Sequence, residues 1–159
     1  MNLALPADIY TPDQLSMCIQ ELRGLISARR DLAAKSRVGN TPETTPAVPP
    51  FTASLLQANR LSGSTAKELE ELVKALESLR LKAPVVHLTL AALPGPKLSV
   101  KLVEWFRREI HPSTLLLFVM DHTIGGGVVI RVGSRVYDFS FSSQLVRHKN
   151  RIAEISARV

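Results

Sequence analysis

The sequence predicts an α+β fold: a small sheet with flanking helices, preceded by a short helical region. Beyond residue 65, apolar residues switch between helical and strand spacing, giving the order helix, strand, helix, strand, hairpin strands, helix. Before that point, residues 39–50 hold four prolines, which indicates a Pro-rich linker. We therefore expect a helical region over residues 1–64 and an α+β domain over residues 65–159.

Composition limits the classes of function. With 159 residues the chain has room for one medium domain, or a small domain with an appendage. The net charge of +6 favours acidic partners, whereas 5% aromatic residues do not favour a surface for base stacking. The single cysteine, Cys18, excludes an internal disulfide and a multi-cysteine metal site. The longest apolar run is far short of a membrane helix and the start lacks a signal pattern, so we expect a cytoplasmic location.

The first helix has a clear start. Thr11 is a capping residue, Pro12 follows it, and Gln14 stands three residues after the cap. We expect this helix to fray between residues 30 and 38. Its apolar stripe either packs within the chain or docks onto a partner, and the pattern leaves both readings open. The stripe consists of Leu15, Ile19, Leu22 and Ile26.

Two further helices and a strand follow. A short helix is expected over residues 51–61. Thr65 and Glu68 form a capping-box pattern ahead of an apolar stripe, and Pro84 ends that helix. Residues 85–90 then alternate between apolar and more polar positions, which predicts a strand with one face on a core.

The remaining elements surround a hairpin. Helical spacing predicts a helix over residues 98–110. The almost uninterrupted apolar run 114–120 predicts a strand that is either covered on both faces or placed centrally in a sheet, in the middle of the core. Residues 128–132 and 135–138 are strands joined by Gly133 and Ser134, a pair that suits a type II′ turn. Ser140 or Ser142 caps a last helix with an apolar face and an opposite basic face.

No residue pattern supports catalysis, a cofactor or a metal. The glycine triplet 125–127 leads into a strand, whereas a phosphate cradle needs the amino terminus of a helix. Asp121 and His122 are neighbours whose side chains point apart in an extended chain, and the four histidines lack metal-ligand spacing. A basic excess over residues 131–159 keeps a nucleic-acid-binding adaptor as the alternative function. The absence of RNA-binding signatures disfavours nucleic acid.

Residues 120–145 resemble the carboxy-terminal signature of the delta subunit of F-type ATP synthases, which includes the oligomycin-sensitivity-conferring protein. The resemblance covers residues 65–155. In that family an Asp opens a loop to Ile-Gly-Gly, one strand ends in Val-Gly, and the next closes as Asp-x-Ser before Gln-Leu in a helix. The matching anchors here are Asp121, Ile124, Gly125, Gly126, Gly133, Asp138, Ser140, Gln144 and Leu145.

The resemblance implies a non-catalytic stator subunit without a cofactor, peripheral to the cytoplasmic face of the cell membrane. Such a subunit joins alpha subunits of the catalytic head to the b subunits of the peripheral stalk and resists the torque of the rotor. The resemblance makes the stripe Leu15, Ile19, Leu22 and Ile26 the candidate head-binding residues, and Arg147, Lys149 and Arg151 the candidate stalk-binding residues.

Two departures from the family pattern stand out. The family has six helices in its amino-terminal bundle, whereas residues 1–64 offer one clear helix, a linker and a short helix, so we expect this region to be shortened or rebuilt. The usual Asp-Gly-Ser becomes Asp138-Phe139-Ser140. We expect Phe139 to pack under the last helix as a hydrophobic staple.

Overall fold

The computed structural model describes residues 3–37, 47–63 and 65–156, with side chains up to residue 34 in the first range and up to residue 148 in the last. Within these ranges the chain forms five α-helices and one four-stranded mixed sheet, which confirms the predicted α+β fold. Positions 39–46 of the predicted linker lie outside the described residues. The elements are α1 Pro12–Arg37, α2 Pro50–Ala58, α3 Ala66–Lys82, β1 Val85–Leu90, α4 Pro96–Glu109, β2 Leu115–Met120, β3 Val128–Val132, β4 Arg135–Asp138 and α5 Phe141–Ser156.

The sheet has the strand order β2-β1-β3-β4. β1 pairs with β2 in parallel and with β3 antiparallel, and β3 pairs antiparallel with β4. β1 is the central strand and β2 an edge strand, so of the two readings of the apolar run, coverage on both faces is confirmed over the first residues of β2 and a central place in the sheet is wrong. β2 is apolar throughout because its first residues are covered on both faces, Leu115 by the helices and Leu116 by the sheet core. Its last residue, Met120, is 53% exposed.

Two hydrophobic cores organise the chain. The helical core joins α1, α2 and α3 and includes Ile9 from the segment before α1 and Leu115 from β2. The sheet core packs α4 against one face of the sheet through Val103 and Phe106. The apolar stripes of α1 and α3 face each other in the helical core, so α3 packs mainly against α1.

Capping fixes where the helices begin. The backbone N–H of Gln14 donates to Thr11 Oγ1 at 3.1 Å, and Gln14 Oε1 accepts from the Thr11 N–H at 3.0 Å, so the predicted start of α1 is a reciprocal capping box. At α3 the Thr65 side chain accepts from the Glu68 N–H at 3.3 Å. The Glu68 carboxylate, however, accepts from the Ser62 N–H at 3.2 Å, and it thereby ties the preceding turn to the helix.

The helix α4 packs with only part of its predicted stripe. Val103 and Phe106 are buried, whereas Leu98 is 53% and Ile110 is 43% exposed. The exposed apolar residues belong to a surface that no other described element covers.

Candidate functional site

The glycine triplet connects a 3₁₀ turn at His122–Ile124 to β3. Gly125, Gly126 and Gly127 have φ angles of 67°, 138° and 78°, a region that side-chain-bearing residues rarely occupy. A Cβ atom on Gly127 would lie 2.3 Å from the carbonyl oxygen of Phe139, and one on Gly126 would lie 2.7 Å from the Phe141 ring. The glycines therefore permit both the bend and the close approach of the segment that follows β4.

Two aspartates close the turns on either side of the hairpin. Asp121 Oδ1 accepts from the Thr123 N–H at 2.9 Å and from its hydroxyl at 2.6 Å. Asp138 Oδ1 accepts from the Ser140 N–H at 2.9 Å. These hydrogen bonds hold the pKa of both carboxyl groups below the usual range. Both carboxylates thus serve local turn geometry.

The start of α5 is fastened to the glycine loop. Ser140, which is buried, accepts from the Ser143 N–H at 3.2 Å and caps the helix. The Phe141 N–H donates to the Gly126 carbonyl at 3.0 Å, and the Phe139 N–H donates to the Val128 carbonyl at 2.9 Å. The loop and the hairpin therefore set the direction in which α5 leaves the sheet. Gly133, with a φ of 58°, makes the tight turn of that hairpin, as predicted.

An apolar surface surrounds the first turns of α5. The large apolar residues between positions 136 and 146 are between 45% and 74% exposed. Every described α5 side chain except Ser143 is exposed. The expectation that Phe139 packs beneath the helix is wrong, because its side chain is 52% exposed. A helix that shows apolar side chains to solvent on this scale indicates a surface made for a partner. We call the part of it that lies on the helix the α5 surface; it consists of Phe141, Leu145 and Val146.

A second apolar surface is a groove of about 600 Å³ between α4 and the sheet. Sequence reasoning missed this groove, because the half-exposure of Trp105 beside it is seen only in the structure. Lys101 lies one helical turn from Trp105, and Arg135 pairs with Val132 across the hairpin, on the sheet face that bears α4. The floor of the groove is apolar and includes Leu88, Leu90, Leu98, Leu102, Trp105 and Ile130.

The structure separates the other candidate residues. Arg147 is exposed on α5, whereas the side chains of Lys149 and Arg151 lie outside the described residues. The four residues of the candidate head-binding stripe are at most 8% exposed, because α1 turns them into the helical core. These are Leu15, Ile19, Leu22 and Ile26.

Signs of chemistry are absent from the residues that the structure describes. In that part of the chain, no three His, Cys, Asp or Glu side chains come close enough to hold a metal ion. None of the helices described there is long and apolar enough to cross a membrane. Burial raises the pKa of the Cys18 thiol to about 11, which keeps it protonated and unreactive.

Comparison with known proteins gives one consistent result. The family model described as ATP synthase delta (OSCP) subunit matches residues 27–152. ATP synthase subunit delta of Rickettsia africae (strain ESF-5) is 27% identical over 95 residues, which cover 57% of this chain and 51% of that protein. ATP synthase subunit delta of Corynebacterium jeikeium (strain K411) is 34% identical over 130 residues, which cover 79% of this chain and 44% of that protein. The chain spans about half the length of these relatives.

Proposed function

Because this chain belongs to the ATP synthase delta (OSCP) subunit family, we propose that it is a non-catalytic subunit of the peripheral stalk of a proton-translocating F-type ATP synthase. In this role it links the catalytic head to the b subunits and resists the torque of the rotor. It is held at the cytoplasmic face of the cell membrane through the stalk.

One observation supports the stalk contact above the others. The α5 surface projects apolar side chains into solvent next to Arg147, and Leu145 is 60% and Val146 74% exposed. Burying such residues against a second helix is favourable by about 25 cal/mol per Å² of apolar area. We propose that a helix of the b subunits packs against the α5 surface.

The groove beside α4 provides a second contact of the same kind. Its floor is apolar, and from their positions on α4 and β4 we expect Lys101 and Arg135 to form a basic border beside it. A helix with an apolar stripe flanked by Glu or Asp would bury the stripe and complement the basic border. The stalk partner is therefore expected to be an amphipathic helix with acidic flanks.

The head contact belongs to the helical region. Since the stripe from Leu15 to Ile26 is buried, its role in this proposal is to hold α1 on α2 and α3, and the outward face of α1 meets the alpha subunits. That face carries Met17, which is 52% exposed. Nearby, a shallow groove of about 230 Å³ beside Gly24 and Pro49 would accept an apolar segment of a partner.

The test is affinity purification of the tagged full-length chain from membranes of the source cells. We expect alpha and b subunits to co-purify. A Leu145→Glu variant places a charge on the α5 surface and should recover about tenfold less b subunit. Leu81→Glu is the matched control, because Leu81 is 83% exposed on α3 and lies apart from both apolar surfaces.

Two results would contradict the proposal. The first is undiminished recovery of b subunits with Leu145→Glu. The second is recovery of nucleic acid without ATP synthase subunits, with an affinity that falls steeply as salt rises, which would favour the adaptor alternative.

A further inference from the structure

The segment before α1 contacts both halves of the molecule. The helical half contains α1, α2 and α3, and the sheet half contains the four strands and α4. We call residues 3–11 the N-terminal strap. At its beginning, Asn59 at the end of α2 holds Ala4 twice: Asn59 Oδ1 accepts from the Ala4 N–H at 2.8 Å, and Asn59 Nδ2 donates to the Ala4 carbonyl at 2.9 Å. The strap is therefore fixed to the helical core at its first residues.

The middle of the strap is held by one side chain of the sheet domain. Arg107 on α4 donates from Nη1 to the carbonyl oxygens of Leu5 at 2.8 Å and Pro6 at 2.9 Å, and from Nη2 to that of Ile9 at 2.7 Å. Its Nε donates to the Thr114 carbonyl at 3.4 Å. The guanidinium thus binds three strap carbonyls and the residue just before β2 at the same time.

The end of the strap lies on the edge of the sheet. The Leu116 N–H on β2 donates to the Tyr10 carbonyl at 2.7 Å. The Tyr10 ring meets Phe118 edge to face, with 6.0 Å between ring centroids. Along its length the strap therefore contacts α2, α4 and β2, which belong to both cores.

Apolar packing between the two halves is thin by comparison. Within the described ranges, Leu115 is the one buried side chain of the sheet that enters the helical core, with Val85 packed partly against it. A single inserted leucine resists separation but resists rocking of the two halves poorly. The directional restraint comes from the strap.

We propose that the N-terminal strap and Arg107 form a clamp that holds the helical half and the sheet half as one rigid body. Arg107 is the positioning residue, because its planar fork reaches several carbonyls at once and the ammonium of a lysine does not. The use of this rigidity rests on the proposed function: a subunit that carries torque from stalk to head loses less of it to bending when its halves move together.

The test measures the distance between the halves in the isolated full-length chain. Spin labels go on cysteines introduced at Ser27 on α1 and Ser134 in the hairpin turn, both exposed, while the buried Cys18 is shielded from labelling. The test variant is Arg107→Lys. Arg108→Lys is the matched control, since Arg108 is the next residue, is exposed and forms an ion pair with the neighbouring Glu109.

We expect one narrow distance distribution for the unsubstituted chain and for Arg108→Lys, and a broad one for Arg107→Lys. Amide hydrogen exchange at Leu116 and across the strap should accelerate about tenfold in Arg107→Lys. If Arg107→Lys fails to fold, Asn59→Ala releases the other end of the strap and should broaden the distribution with the fold kept.

The clamp is contradicted if Arg107→Lys and Arg108→Lys give the same distance distribution between the two spin labels. This holds even if the melting temperature of Arg107→Lys falls, because Arg107 would then contribute only stability. The same holds if the replacement variant Asn59→Ala folds and keeps the narrow distribution. The distances do not depend on partners. If the proposed function is wrong, alpha and b subunits will not co-purify with the chain, while the distances between the spin labels stay as expected for the clamp.

Discussion

At the scale of single residues, the family anchors up to Ser140 shape the backbone, whereas the anchor Leu145 projects from α5 into solvent. The glycines take positive φ angles, Asp121 and Asp138 accept hydrogen bonds from their own turns, and Ser140 caps α5. Each of these side chains is used within a few residues of its position. The anchors are therefore explained by the direction they give to α5.

Gly127 is the most demanding of these positions. Gly127→Ala should lower the free energy of unfolding by about 2 to 3 kcal/mol, because the added Cβ meets the Phe139 carbonyl and φ is positive. Gly125→Ala, where φ is also positive but no atom lies within 4 Å of the new Cβ, should cost about 1 kcal/mol. Urea unfolding of the two variants measures the difference. Equal costs would mean that the close approach to Phe139 is not a constraint.

The lowered pKa values of Asp121 and Asp138 predict that the stability of the fold depends on pH. Their pKa values are lowered in the folded chain, so the stability they contribute is present above the unfolded value of about 4 and is lost as pH falls below it. Melting temperatures of the natural chain and of the double variant Asp121→Asn, Asp138→Asn should differ at neutral pH and converge toward pH 3. A difference that stays constant down to that pH would show that these carboxylates do not contribute through their charge.

At the scale of elements, the sequence predicted most helices and strands but not their placement. Periodicity located α1, α3, β1 and the hairpin, because those signals are local. The edge position of β2 was missed, since coverage by a second core gives the same apolar run as a central position. The groove was missed for a related reason: the apolar stripe of α4 does not reveal that half of it lacks a neighbour.

The cap of α3 offers a test at this scale. Thr65→Ala removes the oxygen that accepts from the Glu68 N–H and should cost about 1 kcal/mol of stability. Lys67→Ala, an exposed substitution in the first turn, should change stability by less than about 0.5 kcal/mol. Chemical denaturation followed by circular dichroism gives both values. Indistinguishable midpoints would mean that the Glu68 contact with Ser62 alone fixes the start of α3.

At the scale of the whole molecule, the junction between the halves could not be predicted from the sequence. Leu5 and Arg107 are 102 positions apart, and the acceptors are backbone carbonyls, which every residue carries. No pattern of side chains announces such a contact. The division at residue 64 remains a prediction, while the strap and Leu115 connect the two regions physically.

This connection predicts cooperative unfolding. Trp105 is the one tryptophan of the chain and lies in the sheet half, so its fluorescence reports that half, while far-ultraviolet circular dichroism is dominated by the helices. Both signals should be lost at the same urea concentration, as expected for a single two-state transition. Two separated midpoints would show that the halves unfold independently.

The strap also bears on how the chain behaves when its beginning is altered. β2 is a six-residue edge strand of entirely apolar sequence, the kind of segment that recruits other chains into intermolecular sheets. The Tyr10 carbonyl accepts a hydrogen bond from the Leu116 N–H, and the Tyr10 ring contacts Phe118 on that edge. Removal of the strap would uncover this edge, so we expect a chain that lacks residues 3–11 to aggregate more readily.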